Sequence, residues 1–70
     1  MTAKLEELRE QLTRMRKEIG DRVLVGAIIE RTPRSIQKYE AKGEHIPGWY
    51  RIVIEELHRR KKSGRPLSPA

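Results

Sequence analysis

The sequence predicts a small all-α domain of four helices, or five, followed by a basic flexible tail. Three observations predict it. Apolar residues recur at spacings of three and four along most of the chain, the period of a helix with one buried face. Helix-starting and helix-stopping residues punctuate these stretches: Asp21, Thr32 with Pro33, Gly43 and Pro47. No hairpin turn separates two alternating runs. The 70 residues allow a single domain, at the small end of what can bury a core. With no cysteine, neither a disulfide nor a cysteine-ligated zinc can help. Stability must come from helix packing, with help from a partner chain.

The first helix is predicted over about Ala3 to Ile19. Leu5, Leu8, Leu12, Met15 and Ile19 form one apolar stripe, Thr2 is placed to cap its start, and Gly20 suits the left-handed position past its end. The stripe also follows a heptad, but for too few repeats to make a coiled coil. The second segment opens at Asp21, a good N-cap, and runs to about Ile29. Val23, Leu24, Val25, Ala27, Ile28 and Ile29 are apolar nearly all round, which also fits a buried strand. The nearby start at Thr32-Pro33 favours a helix. Gly26 then sits in a helix interior, where it costs up to about 1 kcal/mol relative to Ala, so a close approach to another helix is expected there.

The third helix is predicted over about Pro33 to Ala41, with Thr32 as cap, Pro33 at the first position and Gly43 as stop. Ile36 and Tyr39 face inward. The fourth is predicted over about Pro47 to Arg60, with Ile46, Tyr50, Val53 and Leu57 inward. Trp49, Ile52 and Ile54 are left over as a candidate partner surface. The Leu5, Leu8 and Leu12 stripe is the second candidate. Residues 1–60 form the domain. Residues 61–70, with Gly, Pro and no periodicity, form the tail.

The net charge of +6 suggests an acidic partner. Arg59, Arg60, Lys61, Lys62 and Arg65 carry most of it, with no acid after residue 58. The rest of the chain is nearly neutral, but Arg31, Arg34, Lys38 and Lys42 cluster on one short stretch. Around Ile36 and Tyr39, the third helix therefore presents Arg34, Ser35, Gln37 and Lys38 outward. Such a face of hydrogen-bonding side chains suits the reading of a polar surface.

Other chemistries fare poorly. His45 and His58 have no second ligand at metal spacing. The adjacent carboxylates Glu6-Glu7 and Glu55-Glu56 diverge around a helix. No glycine-rich phosphate loop appears, and no nucleophile with its base. The expectation is a non-enzyme with no metal, no cofactor and no small-molecule ligand. The charged start MTAKLEELREQ does not read as a signal peptide, and no apolar run approaches the ~20 residues of a membrane span. A cytoplasmic protein without a membrane partner is expected.

The order helix, helix, tight turn, helix, helix resembles the lambdoid repressor/Cro (Xre-like) type of helix-turn-helix over about residues 5–57. Val25 and Ile29 fall on core positions of the family's first motif helix. Gly26 falls where that helix carries Ala or Gly, and Ile36 and Tyr39 on the inward positions of the recognition helix. Tyr39-Glu40-Ala41-Lys42-Gly43 looks like the family's aromatic-Glu-x-Gly ending, one residue longer, and Pro47 like the proline opening its next helix. Two residues depart from the pattern. Glu30 stands at the turn position that usually holds Gly, where positive φ is often needed. Arg31 stands at a usually apolar position.

The resemblance implies a dimeric, sequence-specific regulator of double-stranded DNA, acting as a repressor of a phage or mobile element, often on its own promoter. It would work in the cytoplasm of a bacterial host, at the nucleoid, on a palindromic operator. The third helix would lie in the major groove with its N-terminal end at the bases. Arg34 would pair with guanine and Gln37 with adenine, with Lys38 and Ser35 as further base contacts. Arg22, Arg31, Thr32, Lys42, Arg59, Arg60, Lys61 and Lys62 would hold the DNA backbone. Trp49, Ile52 and Ile54 would form the homodimer contact. Two other readings remain open: an antitoxin with a toxin partner, and a basic helical module that binds RNA or the ribosome through its tail.

Overall fold

The computed structural model of the chain describes residues 2–65. Four helices and no strand occur among them: α1 (Thr2–Ile19), α2 (Arg22–Ile29), α3 (Pro33–Glu40) and α4 (Gly48–Lys62). The strand alternative for the second segment therefore falls. None of the helices is long and apolar enough to cross a membrane.

Local chemistry accounts for most boundaries. The Asp21 carboxylate accepts the Leu24 N–H at 2.8 Å and caps α2. The Thr32 hydroxyl accepts the Ser35 N–H at 3.2 Å and caps α3, whose first residue is Pro33. Two expected ends differ. Thr2 already belongs to α1. Gly20 is not among the positive-φ residues, because the chain passes straight into the extended Asp21 cap. Gly20 instead leaves space for Leu24: a Cβ there would lie 2.5 Å from Leu24 Cδ2. The carbonyls at the end of α1 find side-chain donors, as Lys61 Nζ reaches Ile19 O at 2.9 Å and Arg16 Nη1 reaches Gly20 O at 3.1 Å.

The start of the expected tail is structured. Residues 61 and 62 continue α4, and Gly64 follows at φ 75°. Gly64 N–H bonds to Lys61 O and Arg65 N–H to Arg60 O, the paired bonds of a glycine-terminated helix stop. Gly64, taken from sequence as a mark of disorder, is the helix terminator. Residues 66–70 of the expected tail lie outside the described residues.

The core gathers Leu12 and Ile19 from α1, Val25 from α2, Ile36 from α3, and Tyr50, Ile54 and Leu57 from α4. Leu8, Met15, Ile28, Ile29, Tyr39, Ile46 and Val53 pack around it. Ile54 is 0 % exposed, so its assignment to a partner surface is corrected. At about 100° per residue, Tyr50, Val53, Ile54 and Leu57 all fall within one arc some 100° wide. Choosing Val53 as the inward residue did not displace Ile54 from that arc. Leu12 is likewise core, which removes it from the second candidate surface, and only Leu5 of that trio is exposed.

The turn between α2 and α3 takes the left-handed conformation at Glu30, with φ 60° and ψ 44°. The Gly26 carbonyl accepts both the Glu30 and Arg31 N–H groups. The turn thus keeps the geometry the resemblance implied and places a side chain where glycine fits better. Glu30→Gly should stabilise the domain by about 1 kcal/mol, a rise in Tm of about 4–8 °C for a chain this small. A Tm that stays level or falls, read by circular dichroism, would show that no strain is held at this turn.

Candidate nucleic-acid interface

α3 has one buried side chain, Ile36, at 0 % exposure. Arg34, Gln37 and Lys38 are exposed on the opposite side. None of the three makes a hydrogen bond or ion pair with another described residue. Ser35 is half-buried, and its hydroxyl lies 3.0 Å from that of Thr32. Both hydroxyls are thus engaged at the cap, and their free valences still face outward at the N-terminal end of the helix. The N-terminal N–H groups and these side chains together make an electropositive end suited to anionic and hydrogen-bonding surfaces.

Three arginines hold this helix in place. Arg16 on α1 donates to both Glu40 oxygens, from Nε to Oε2 at 2.6 Å and from Nη2 to Oε1 at 3.1 Å. Arg22 on α2 joins the same carboxylate, Nε to Oε1 at 3.1 Å. The Arg16 and Glu40 side chains are only 6 % and 5 % exposed, while Arg22 is 42 % exposed. Arg22 therefore braces α3 and keeps one side open to solvent. Arg9, a third arginine and itself buried, donates from Nη1 to Tyr39 O at 2.6 Å and from Nη2 to Glu44 O. This pins the carbonyl end of α3 and the loop after it. Arg9 also holds Glu6 at 2.9 Å, and that hydrogen bond keeps the Glu6 carboxyl below the usual carboxylate range.

Sequence reasoning missed Arg9, Arg16 and the internal role of Glu40. A signal was present: Arg9, Leu12, Arg16 and Ile19 recur at three and four, the same spacing as the apolar stripe. Charged residues on an inward stripe call for internal partners. The Tyr50 hydroxyl lies beside this network and has no hydrogen-bond partner among the described residues. Burial, reinforced by the Glu40 charge, pushes its phenol well above the usual tyrosine range.

The expected backbone contacts divide into two groups. Lys42 and Lys62 are exposed, without an ion pair among the described residues. The others already have partners within the chain. Arg59 and Arg60 share the Glu56 carboxylate. Lys61 caps α1, and Arg31 stacks on the Trp49 ring at 4.8 Å from its centroid. The unusual arginine of the turn is therefore accommodated by an aromatic face, which substitutes for the apolar contact expected at that position. Trp49 is also edge-on to Tyr39, with centroids 5.8 Å apart. His58 Nε2 lies 2.8 Å from Glu18 Oε1. His45 is exposed.

The exposed side chains brought together are Arg34, Gln37 and Lys38 on one helix, flanked by Thr32, Ser35 and the open side of Arg22. Comparison of the chain with family models, with curated proteins and with solved structures finds no match to any of them.

Proposed function

We propose that the chain is a sequence-specific double-stranded DNA-binding regulator that reads the major groove with α3, acting as a repressor of a phage or mobile element in a bacterial cytoplasm. The observation that carries this reading is a short, Thr32-capped helix whose outward Arg34, Gln37 and Lys38 are unpaired. Its inward and C-terminal sides are held by Ile36, Glu40 and three arginines. Base reading rewards such a rigid platform, since ordering a mobile helix on binding would cost affinity. Arg34 offers a fork for guanine and Gln37 an amide for adenine. Lys38, Lys42 and the open side of Arg22 supply phosphate contacts. The mechanism is promoter occlusion and requires no cofactor.

An RNA or ribosome module acting through the basic end is less well supported, because Arg59, Arg60 and Lys61 are engaged inside the chain. An antitoxin role would share the DNA chemistry and add a protein partner.

The decisive experiment selects bound sites from a random duplex library, then measures wild type and variants on the selected site and on unrelated DNA. Arg34→Ala and Gln37→Ala should each weaken selected-site binding by roughly 1–3 kcal/mol, with the folded state unchanged and preference relaxed at one base pair. Equal losses on both DNAs would remove these residues as readers. Failure to enrich any duplex, with RNA bound instead, would overturn the reading itself.

A further inference from the structure

Four of the five exposed large hydrophobics lie on α2 and α4: Val23, Leu24, Trp49 and Ile52, of which Ile52 is 68 % exposed. They are not scattered. A groove between the two helices is lined by Ile28 and Ile29 from one side and by Trp49, Ile52 and Val53 from the other. Leu24 stands one helical turn before Ile28 and extends the same apolar surface. A chain of mean hydropathy −0.79 thus concentrates its uncovered apolar surface on one face, which marks that face for a partner.

The charges at the groove's rim identify the partner. Arg31 sits at one end, stacked on Trp49. Glu56 lines the other end, two turns further along α4. A two-fold axis crossing α4 between Ile52 and Val53 turns residue 49 onto residue 56 of a second copy. Such an antiparallel α4 pairing lays Arg31 of each protomer against Glu56 of the other, and Ile52 against the other's Val53. The contact is self-complementary in both shape class and charge, as a closed two-fold interface requires. Glu56 already receives Arg59 and Arg60, but a carboxylate has room for a further donor.

We infer that the α2–α4 face pairs two copies of this chain about an axis at Ile52–Val53, with reciprocal Arg31–Glu56 contacts. This gives Trp49 and Ile52 a role in assembly, leaves Ile54 in the core, and takes Arg31 away from DNA. The inference stands independently of the DNA reading, and its test contains no DNA.

Sedimentation equilibrium of the full chain at micromolar concentration should show a dimer. Ile52→Glu should keep the helical circular dichroism, because its side chain is exposed, and should weaken pairing by about tenfold or more, since each substitution is met twice. Arg31→Glu and Glu56→Arg should each weaken the homodimer by like-charge repulsion. Mixed in equal amounts, the two variants should form a heterodimer tighter than either homodimer, because both cross-contacts are then Glu against Arg. A mixture no tighter than its components would overturn the register. A wild-type chain that stays monomeric, or an Ile52→Glu chain that pairs as wild type does, would overturn the interface and leave the face to a different protein.

Discussion

Gly26→Leu should leave the chain unfolded at room temperature, and Gly26→Ala should already cost about 2–3 kcal/mol. A Cβ built on Gly26 would lie 2.5 Å from the Arg31 carbonyl oxygen and 3.5 Å from Pro33 N. Both are backbone atoms, so no rotamer change can make room. The turn would have to open, breaking the two N–H bonds that converge on the Gly26 carbonyl and moving the start of α3. A domain this small has on the order of 5 kcal/mol in total, so the leucine exceeds what it can absorb. The sequence pattern called for a close approach at Gly26. The approaching group proves to be the turn's own backbone, not the recognition helix as expected. Gly48 is the control, with no atom within 4 Å of its would-be Cβ, and Gly48→Ala should be tolerated. Urea titration followed by circular dichroism separates the cases, and a cooperative, wild-type midpoint for Gly26→Ala would contradict the contact.

Glu40→Ala should be nearly as damaging. The carboxylate is the one anion serving Arg16 and Arg22, and the Arg16–Glu40 pair is almost wholly buried. Removing it strands the Arg16 charge in the core, a loss of typically 3–5 kcal/mol. α3 would also lose its fastening to α1 and α2, so any DNA affinity should fall together with stability. Replacing both partners, as Arg16→Met with Glu40→Leu, should recover much of the loss, because two uncharged side chains leave nothing stranded. The comparison is a double-mutant cycle on the urea midpoint. A Glu40→Ala chain within about 1 kcal/mol of wild type would mean that the pair does not hold α3.

These two cases also show where sequence is informative and where it is not. Asp21, Thr32 with Pro33, and Gly43 act on backbone groups within a few residues, so their roles as caps and stops were legible. Ile36 was legible as core because α3 has a single apolar face. From these local signals came the all-α class, the helix order and the outward set Arg34, Gln37 and Lys38. Arg9, Arg16 and Glu40 were not legible in the same way. Their partners lie 24 to 35 residues away, and an arginine on an inward stripe has meaning only when another helix brings a carboxylate or carbonyl to it. Ile54 and Val53 differ by one position on α4, and only the packing of α1 against that helix decided that Ile54 is fully enclosed. Glu30 and Gly64 complete the contrast. Local propensity expected glycine at the first and disorder at the second. The tertiary structure held Glu30 in a left-handed turn because Gly26 draws the chain tightly back, and used Gly64 to end a helix whose last lysine caps the first. Local hydrogen-bonding and periodicity determined the elements. Contacts between residues distant in sequence decided which charges are buried, which apolar residues stay exposed, and how firmly α3 is held.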